Sequence, residues 1–240
     1  MTEGAAVAMG LSALKTMEWK STSDRISDDL RQMIIEGQLV PGEQLGEARI
    51  AELLGVSRAP VREALQQLVQ EKLLVAARNK GVSVVSFTAT DIWEIYDARF
   101  AIESHAAVRI IDGGPGMRAR AIDDLRVVLE RLGTAAKRGN HREISTTDLD
   151  FHMTLVGSGG NGRLVDAYSI LSAQTLACIN RLEIALPSGE EIIADHAVLI
   201  DALAAGEKDQ LLKAISDHLS VAASHLTTPP AKTGNPHRPD

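Results

Sequence analysis

The sequence predicts a mainly α-helical chain in two parts. A winged helix-turn-helix occupies about residues 23–87, and an all-α bundle of six or seven helices occupies about 88–227. Three observations carry this. Apolar residues make up 45% of the 240 while aromatics make up only 3%, so the core is Leu, Ile, Val and Ala, which favours packed helices. Within the first part, short helical periods give way to two β-prone segments around a glycine-bearing turn. From Thr88, helical periods run almost unbroken to Leu226 and stop only at glycine- and proline-rich points.

Residues 1–22 show little helical period and read as a flexible N-terminus. Ser21–Ser23 offer capping hydroxyls to a first helix with Ile26, Leu30, Met33 and Ile34 on one face. Gly37 and Pro41-Gly42 end it. A short second helix carries Ile50, Leu53 and Leu54 and stops at Gly55. Ser57 is placed to cap a third helix, with Pro60 in its first turn and Val61, Ala64, Leu65 and Leu68 facing inward. Leu73–Ala76 and Val82–Phe87 then form strands around Arg78-Asn79-Lys80-Gly81.

Beyond Thr88, six helices are expected at about 90–112, 116–138, 141–157, 161–186, 189–205 and 207–227. Their short connections imply antiparallel neighbours. Residues 228–240 hold four of the eight prolines and read as a disordered tail.

The net charge of −7 does not favour nucleic acid, but residues 24–87 hold eight Lys/Arg against nine Asp/Glu, so most of the negative charge lies beyond them. The arrangement of charge on one face decides DNA binding. The single Cys178 excludes an internal disulfide and fits a reducing cytoplasm. Glu3 and Gly10 spoil the opening apolar patch as a signal peptide, and no stretch reaches the ~18 apolar residues of a membrane span. A cytoplasmic chain with no membrane partner is expected.

Residues Ile50–Leu65 follow helix-turn-helix logic. Gly55 permits the left-handed turn, Val56 plugs the space between helices, and Ser57 opens the second helix. Arg58 and Arg62 are i, i+4 neighbours, so both guanidinium groups share one face near a helix N-terminus, where donors reach guanine edges or phosphates. One such helix reads few base pairs, so a homodimer on paired half-sites of double-stranded DNA is expected.

Pro41-Gly42-Glu43-Gln44-Leu45, followed by Val56-Ser57-Arg58-Ala59-Pro60-Val61-Arg62-Glu63-Ala64-Leu65, closely resembles the GntR family of winged-helix regulators. The resemblance implies DNA contact by Arg58 and Arg62, with Ser57 on phosphate and Gly81 at the wing tip. It also implies that Arg78 and Lys80 enter the minor groove. Many relatives carry an arginine where Ala48 stands here, with Arg49 one step away, so operator preference departs from the pattern.

In the bundle, Asp148 and His152 are i, i+4 on one helix, and His196 and His218 lie mid-helix further on. Read alone, these four are either ligands converging on a metal or ordinary polar residues. His105, His141, His225 and His237 show no such pattern. Residues 91–226 resemble the FCD ligand-binding domain of the FadR-type branch of the GntR family. That resemblance implies a divalent metal on Asp148, His152, His196 and His218, with zinc the first choice and nickel or manganese the alternatives. It also aims Arg99 at the ligand cavity, where a guanidinium suits a small carboxylate effector. The competing reading of Arg99 is an ion pair with Glu103 at i, i+4. Asn180 and Arg181 are further candidates for the same cavity.

A metabolite-responsive transcription repressor is therefore the expected function, and no enzyme. The alternative is a metal-dependent hydrolase, since three His and one Asp leave coordination positions open. The chain lacks His-Glu-x-x-His, a nucleophile elbow and a phosphate-binding loop. Asp195 and Asp217 precede ligands, but point about 100° away from them on a helix. A purely architectural DNA-binding protein leaves the inward Asp and His residues unexplained.

Overall fold

The computed structural model describes residues 20–78, 81–180 and 188–228. The expectations for residues 1–19, Lys80, Arg181, the stretch 181–186 and the tail from 229 lie outside these residues. The first half contains α1 (Thr22–Ile35), β1 (Gln44–Leu45), α2 (Glu47–Leu54), α3 (Arg58–Gln70), β2 (Leu74–Ala77) and β3 (Gly81–Val84). The second is wholly helical: α4 (Ala89–Asp112), α5 (Pro115–Arg138), α6 (His141–Ser158), α7 (Gly162–Ile179), α8 (Gly189–Ala205) and α9 (Lys208–Thr227).

Local chemistry explains most helix starts. Ser21 accepts from the Asp24 backbone N–H at 3.0 Å while the Asp24 carboxylate accepts from the Ser21 N–H at 3.1 Å, a complete capping box. Thr88 and Asp91 do the same for α4. Ser57 holds the capping position of α3, yet its side chain makes no capping bond. The cause is Pro60: it stands three residues on, where the hydroxyl's usual partner is a backbone N–H that proline lacks. The Ser57 hydroxyl is thus left exposed beside Arg58.

The expected hairpin is β2–β3, antiparallel, with Val75 opposite Ser83 and Ala77 opposite Gly81. β1 adds a third strand against β3, pairing Gln44 with Ser83 and Leu45 with Val82, so the order is β1-β3-β2. Two residues are too few for an alternating pattern, and the sequence reading missed it. The described part of α7 runs to Ile179, with Asn180 as its cap, and the remainder of the expected helix lies outside the described residues.

Two cores result. Ile26, Leu30 and Ile34 of α1 pack on Val61, Leu65 and Leu68 of α3, closed by Leu45 and Val84. The larger core joins α4, α5, α6, α8 and α9 through Ile110, Leu125, Phe151, Leu203 and Ile215. α7 touches both halves. Its Ala177 is buried in the first core, Gln174 Nε2 donates to the Glu71 carbonyl at 2.7 Å, and Asn180 Nδ2 donates to the Ile35 carbonyl at 3.1 Å. At the far end of α6, Gly159 lets the chain close on α4: a Cβ there would lie 3.0 Å from Ala106 Cα, and its carbonyl accepts from Arg109 Nε at 2.8 Å.

That close approach sets a testable limit. Gly159→Ala forces α6 off α4 and should cost about 1–3 kcal/mol. A thermal melt should read this as a Tm lower by roughly 2–10 °C. An unchanged Tm would show that the two helices part freely.

Candidate functional site

The bundle gathers three histidines from three helices: His152 of α6, His196 of α8 and His218 of α9. One nitrogen of each lies within 4.8 Å of the others. His152 Nδ1 stands 2.8 Å from the Glu103 carboxylate and His196 Nδ1 stands 2.7 Å from the Ile192 carbonyl. Each Nδ1–H therefore donates outward, which leaves both Nε2 lone pairs facing the shared space. There His152 Nε2 meets His218 Nε2 at 3.1 Å, and His196 Nε2 meets Asp148 Oδ1 at 3.2 Å without a hydrogen bond to any partner.

Without a metal, His218 Nε2–H can donate to the His152 Nε2 lone pair; a divalent ion takes the lone pairs of both instead. Ligands about 2.0–2.1 Å from one ion sit about 3–3.4 Å from each other. Donor type, spacing and outward-facing Nδ1 bonds thus fit a divalent ion, with Asp148 as the fourth donor. The four residues named from the sequence are brought together.

Electrostatics follow the same plan. Burial pushes the His218 imidazole well below its usual range, and the neighbouring His152 and His196 push it further. Burial likewise lowers His152, against the pull of Glu103. Burial opposes charging of His196 too, but Asp148, the Ile192 carbonyl and Asp195 together outweigh it and raise that imidazole. Burial works to raise Asp148, yet His196, His152 and His218 together outweigh it and hold the carboxyl well below the usual range.

Glu103 is the residue that sequence reasoning undervalued, having weighed it only as a partner for Arg99. It is 0% exposed. Besides His152 it accepts from Tyr168 Oη at 2.7 Å and Arg99 Nε at 3.0 Å. Burial favours its neutral form, but His152 and then Arg99 hold its carboxyl at about 2. The signal available in the sequence was the i, i+4 spacing of Arg99 and Glu103; partners 49 and 65 residues away gave none.

A cavity of about 90 Å³ opens on the cluster, lined by Asp148, His152, His196, His218 and Arg99 among others. Arg99 pairs with Glu103 and also lines the cavity. Its Nε is committed to Glu103 and Tyr168, while its buried Nη2 has no partner. Asn180, offered as a cavity contact, does not line it. Gln174, Ala177 and Asn180 recur every three residues on the face of α7 that meets the first half, and the Asn180 amide is spent on Ile35.

At the other end of the chain, α3 presents Arg58 and Arg62 on the surface, and Arg78 and Gly81 are exposed beside the wing. Gly55 closes α2 with φ 65°, and Gly81 opens β3 with φ 76°, conformations that favour glycine at both turns. Arg62 is paired with Glu47 of α2 at 3.0 Å. Any anion that Arg62 meets therefore has to displace Glu47. Ala48 and Arg49 are both exposed on α2.

Comparison with known proteins gives two domain matches. Residues 22–84 match the model of bacterial regulatory proteins, gntR family, and residues 94–221 match the FCD domain. The chain is 31% identical over 206 residues to the gluconate operon transcriptional repressor of Bacillus licheniformis, covering 84% of this chain and 83% of that one. It is 35% identical over 144 residues to the protein of the same name from Bacillus subtilis, covering 59% and 57%. The solved structure of E. coli McbR/YncC shares the fold, with a TM-score of 0.70 at 24% identity over 87% of this chain and 98% of that one.

The buried charge pair makes a prediction of its own. Glu103→Gln keeps the shape but strands the Arg99 charge, and should cost about 3–5 kcal/mol. The double variant Glu103→Gln/Arg99→Met should regain much of this, because neither charge is then left alone. Urea unfolding measures both; a Glu103→Gln single variant as stable as the parent would remove the cluster from any role in stability.

Proposed function

The chain belongs to the GntR family of bacterial regulatory proteins and carries an FCD domain, and from that premise we propose that it is a transcriptional repressor. In this reading residues 23–87 bind an inverted-repeat operator as one half of a homodimer, and residues 88–227 release it when a small organic acid binds. The family consists of regulators and not enzymes, which sets the hydrolase alternative aside. No described helix is long and apolar enough to cross a membrane. The site of action is then the cytoplasm, where the DNA is.

One observation carries the proposal: a single chain joins an exposed arginine-bearing helix to a buried His-and-carboxylate cavity with an unpaired guanidinium nitrogen. Arg58 and Arg62 are assigned to bases, Ser57 to phosphate, and Arg78, Lys80 and Gly81 to the wing contact. The free Ser57 hydroxyl supports its assignment. Asp148, His152, His196 and His218 are assigned to a divalent metal, zinc first, nickel or manganese next. When bound, the metal supplies positive charge and an open coordination position. Arg99 is assigned to the effector carboxylate through Nη2. That two relatives are named for gluconate operons supports an acid as effector.

Two measurements test this. In gel-shift titrations on sites selected from a random library, Arg58→Ala and Arg62→Ala should each lose roughly tenfold to a hundredfold in affinity and relax preference at one base pair. Lys80→Ala should weaken all sequences alike and flatten the salt slope. Parental binding by both arginine variants would reject α3 as the reading helix.

Elemental analysis of the purified chain should give one divalent metal per chain, lost in His196→Ala and in His218→Ala, and chelation should lower the Tm. Stoichiometric metal in a variant lacking all three histidines would reject the ligand set.

A further inference from the structure

We infer that the ligand of this cavity is a monocarboxylate with a short apolar body, rather than a dicarboxylate or a polyhydroxylated acid. The inference rests on the proposed effector reading and narrows it.

Charge comes first. Arg99 does not bring an additional positive charge, because the Glu103 carboxylate is buried against it at 3.0 Å. An imidazole that ligates a metal does so as the neutral base, so the three histidines add no charge. A divalent ion facing Asp148 then leaves about one net positive charge in the pocket, matched by one carboxylate. A second carboxylate has to lie toward the rim, where Asp195 is exposed and repels it. His225 is also on the rim, but it stands close enough to Glu191 to act on that carboxylate instead.

The walls decide the rest of the ligand. Away from the cluster they are the Tyr96 ring, whose centroid lies 4.7 Å from the Arg99 guanidinium, and then Ile144, Ile179, Ile192, Val221, Ala222 and Leu226. Among the described lining residues none is Asn, Gln, Thr or Lys. Ser145 lines the cavity, but its hydroxyl is spent on the His141 carbonyl at 3.0 Å. Hydroxyls along a ligand chain would lose water and find few partners, at a cost of about tenfold or more in affinity. Methylene groups gain from the same walls. The volume of about 90 Å³ holds roughly six to nine water-sized groups, the length of a four- to six-carbon acid. At the closed end, Arg99 Nη2 waits unpaired, and Arg99 is only 2% exposed.

Two matched pairs of acids separate these properties. Hexanoate and gluconate have equal carbon number and charge but differ in hydroxyls; butyrate and succinate have equal length but differ in charge. Calorimetric titration of the zinc-saturated full chain should give hexanoate about tenfold or more over gluconate, and butyrate about tenfold or more over succinate. Val221→Asn alters an exposed wall residue that packing does not require, and should narrow the hexanoate–gluconate gap. Gluconate or succinate binding as tightly as its partner would overturn the inference while leaving an organic-acid effector in place. Hexanoate binding unchanged by Val221→Asn would place it outside this cavity and overturn the inference as well. If none of the four acids binds, the effector reading itself falls, and this one with it.

Discussion

A carboxylate with no contact to water organises the helical half of this molecule. Taking an ion out of water costs several kcal/mol, which only good pairing offsets. Glu103 meets that demand from three helices: Arg99 on its own α4, His152 on α6 and Tyr168 on α7. Satisfying one anion therefore fixes the relative register of α4, α6 and α7. The same bond sets the tautomer of His152 and turns its Nε2 toward His218 on α9, the helix that packs along α4. Gly159 contributes by letting α6 lie close enough to α4 for these bonds to form.

The DNA-facing half obeys more local rules, which is why its sequence was so readable. Gly55, Val56 and Arg58 act within a few residues of where they stand, and helix periods over ~10 residues locate the inner stripe of α3. Even here one local rule gave way to another. Ser57 has the residue type and backbone of a cap, but Pro60 withdraws the donor that the cap requires. The hydroxyl is then free on the face that carries Arg58.

Elsewhere, legibility followed the range of the interaction. The Asp148/His152 pair is visible as i, i+4 spacing, whereas its convergence with His196 and His218 depends on how the bundle folds; resemblance to a family, not spacing, joined them. Arg99 was read as either an ion pair or a cavity group because a guanidinium was treated as a single contact. Its separate nitrogens allow both. Asn180 was misplaced since helix facing near the end of α7 depends on which neighbour claims that turn, and the first half of the chain claims it. β1 escaped because two residues carry no period.

These placements bear on how a ligand reaches the DNA-binding half. Among the described residues, side chains of α6 and α7 bond to that half. α6 does so through Arg142, which pairs with Glu36 at 2.9 Å, but the arginine side chain is 53% exposed and such pairs contribute little. α7 does so through Ala177 in the first core and through the Gln174 and Asn180 amides on backbone carbonyls at the ends of α3 and α1. These contacts cannot slide without exposing apolar surface or stranding polar groups, so they transmit movement of α7 as a rigid unit. α7 is in turn tied to the cluster by Tyr168 on Glu103. A ligand that binds two conformations equally shifts neither. Displacement of the Arg99 guanidinium would act on Glu103 and Tyr168 together, and through Tyr168 on α7, whose buried contacts reach the first half.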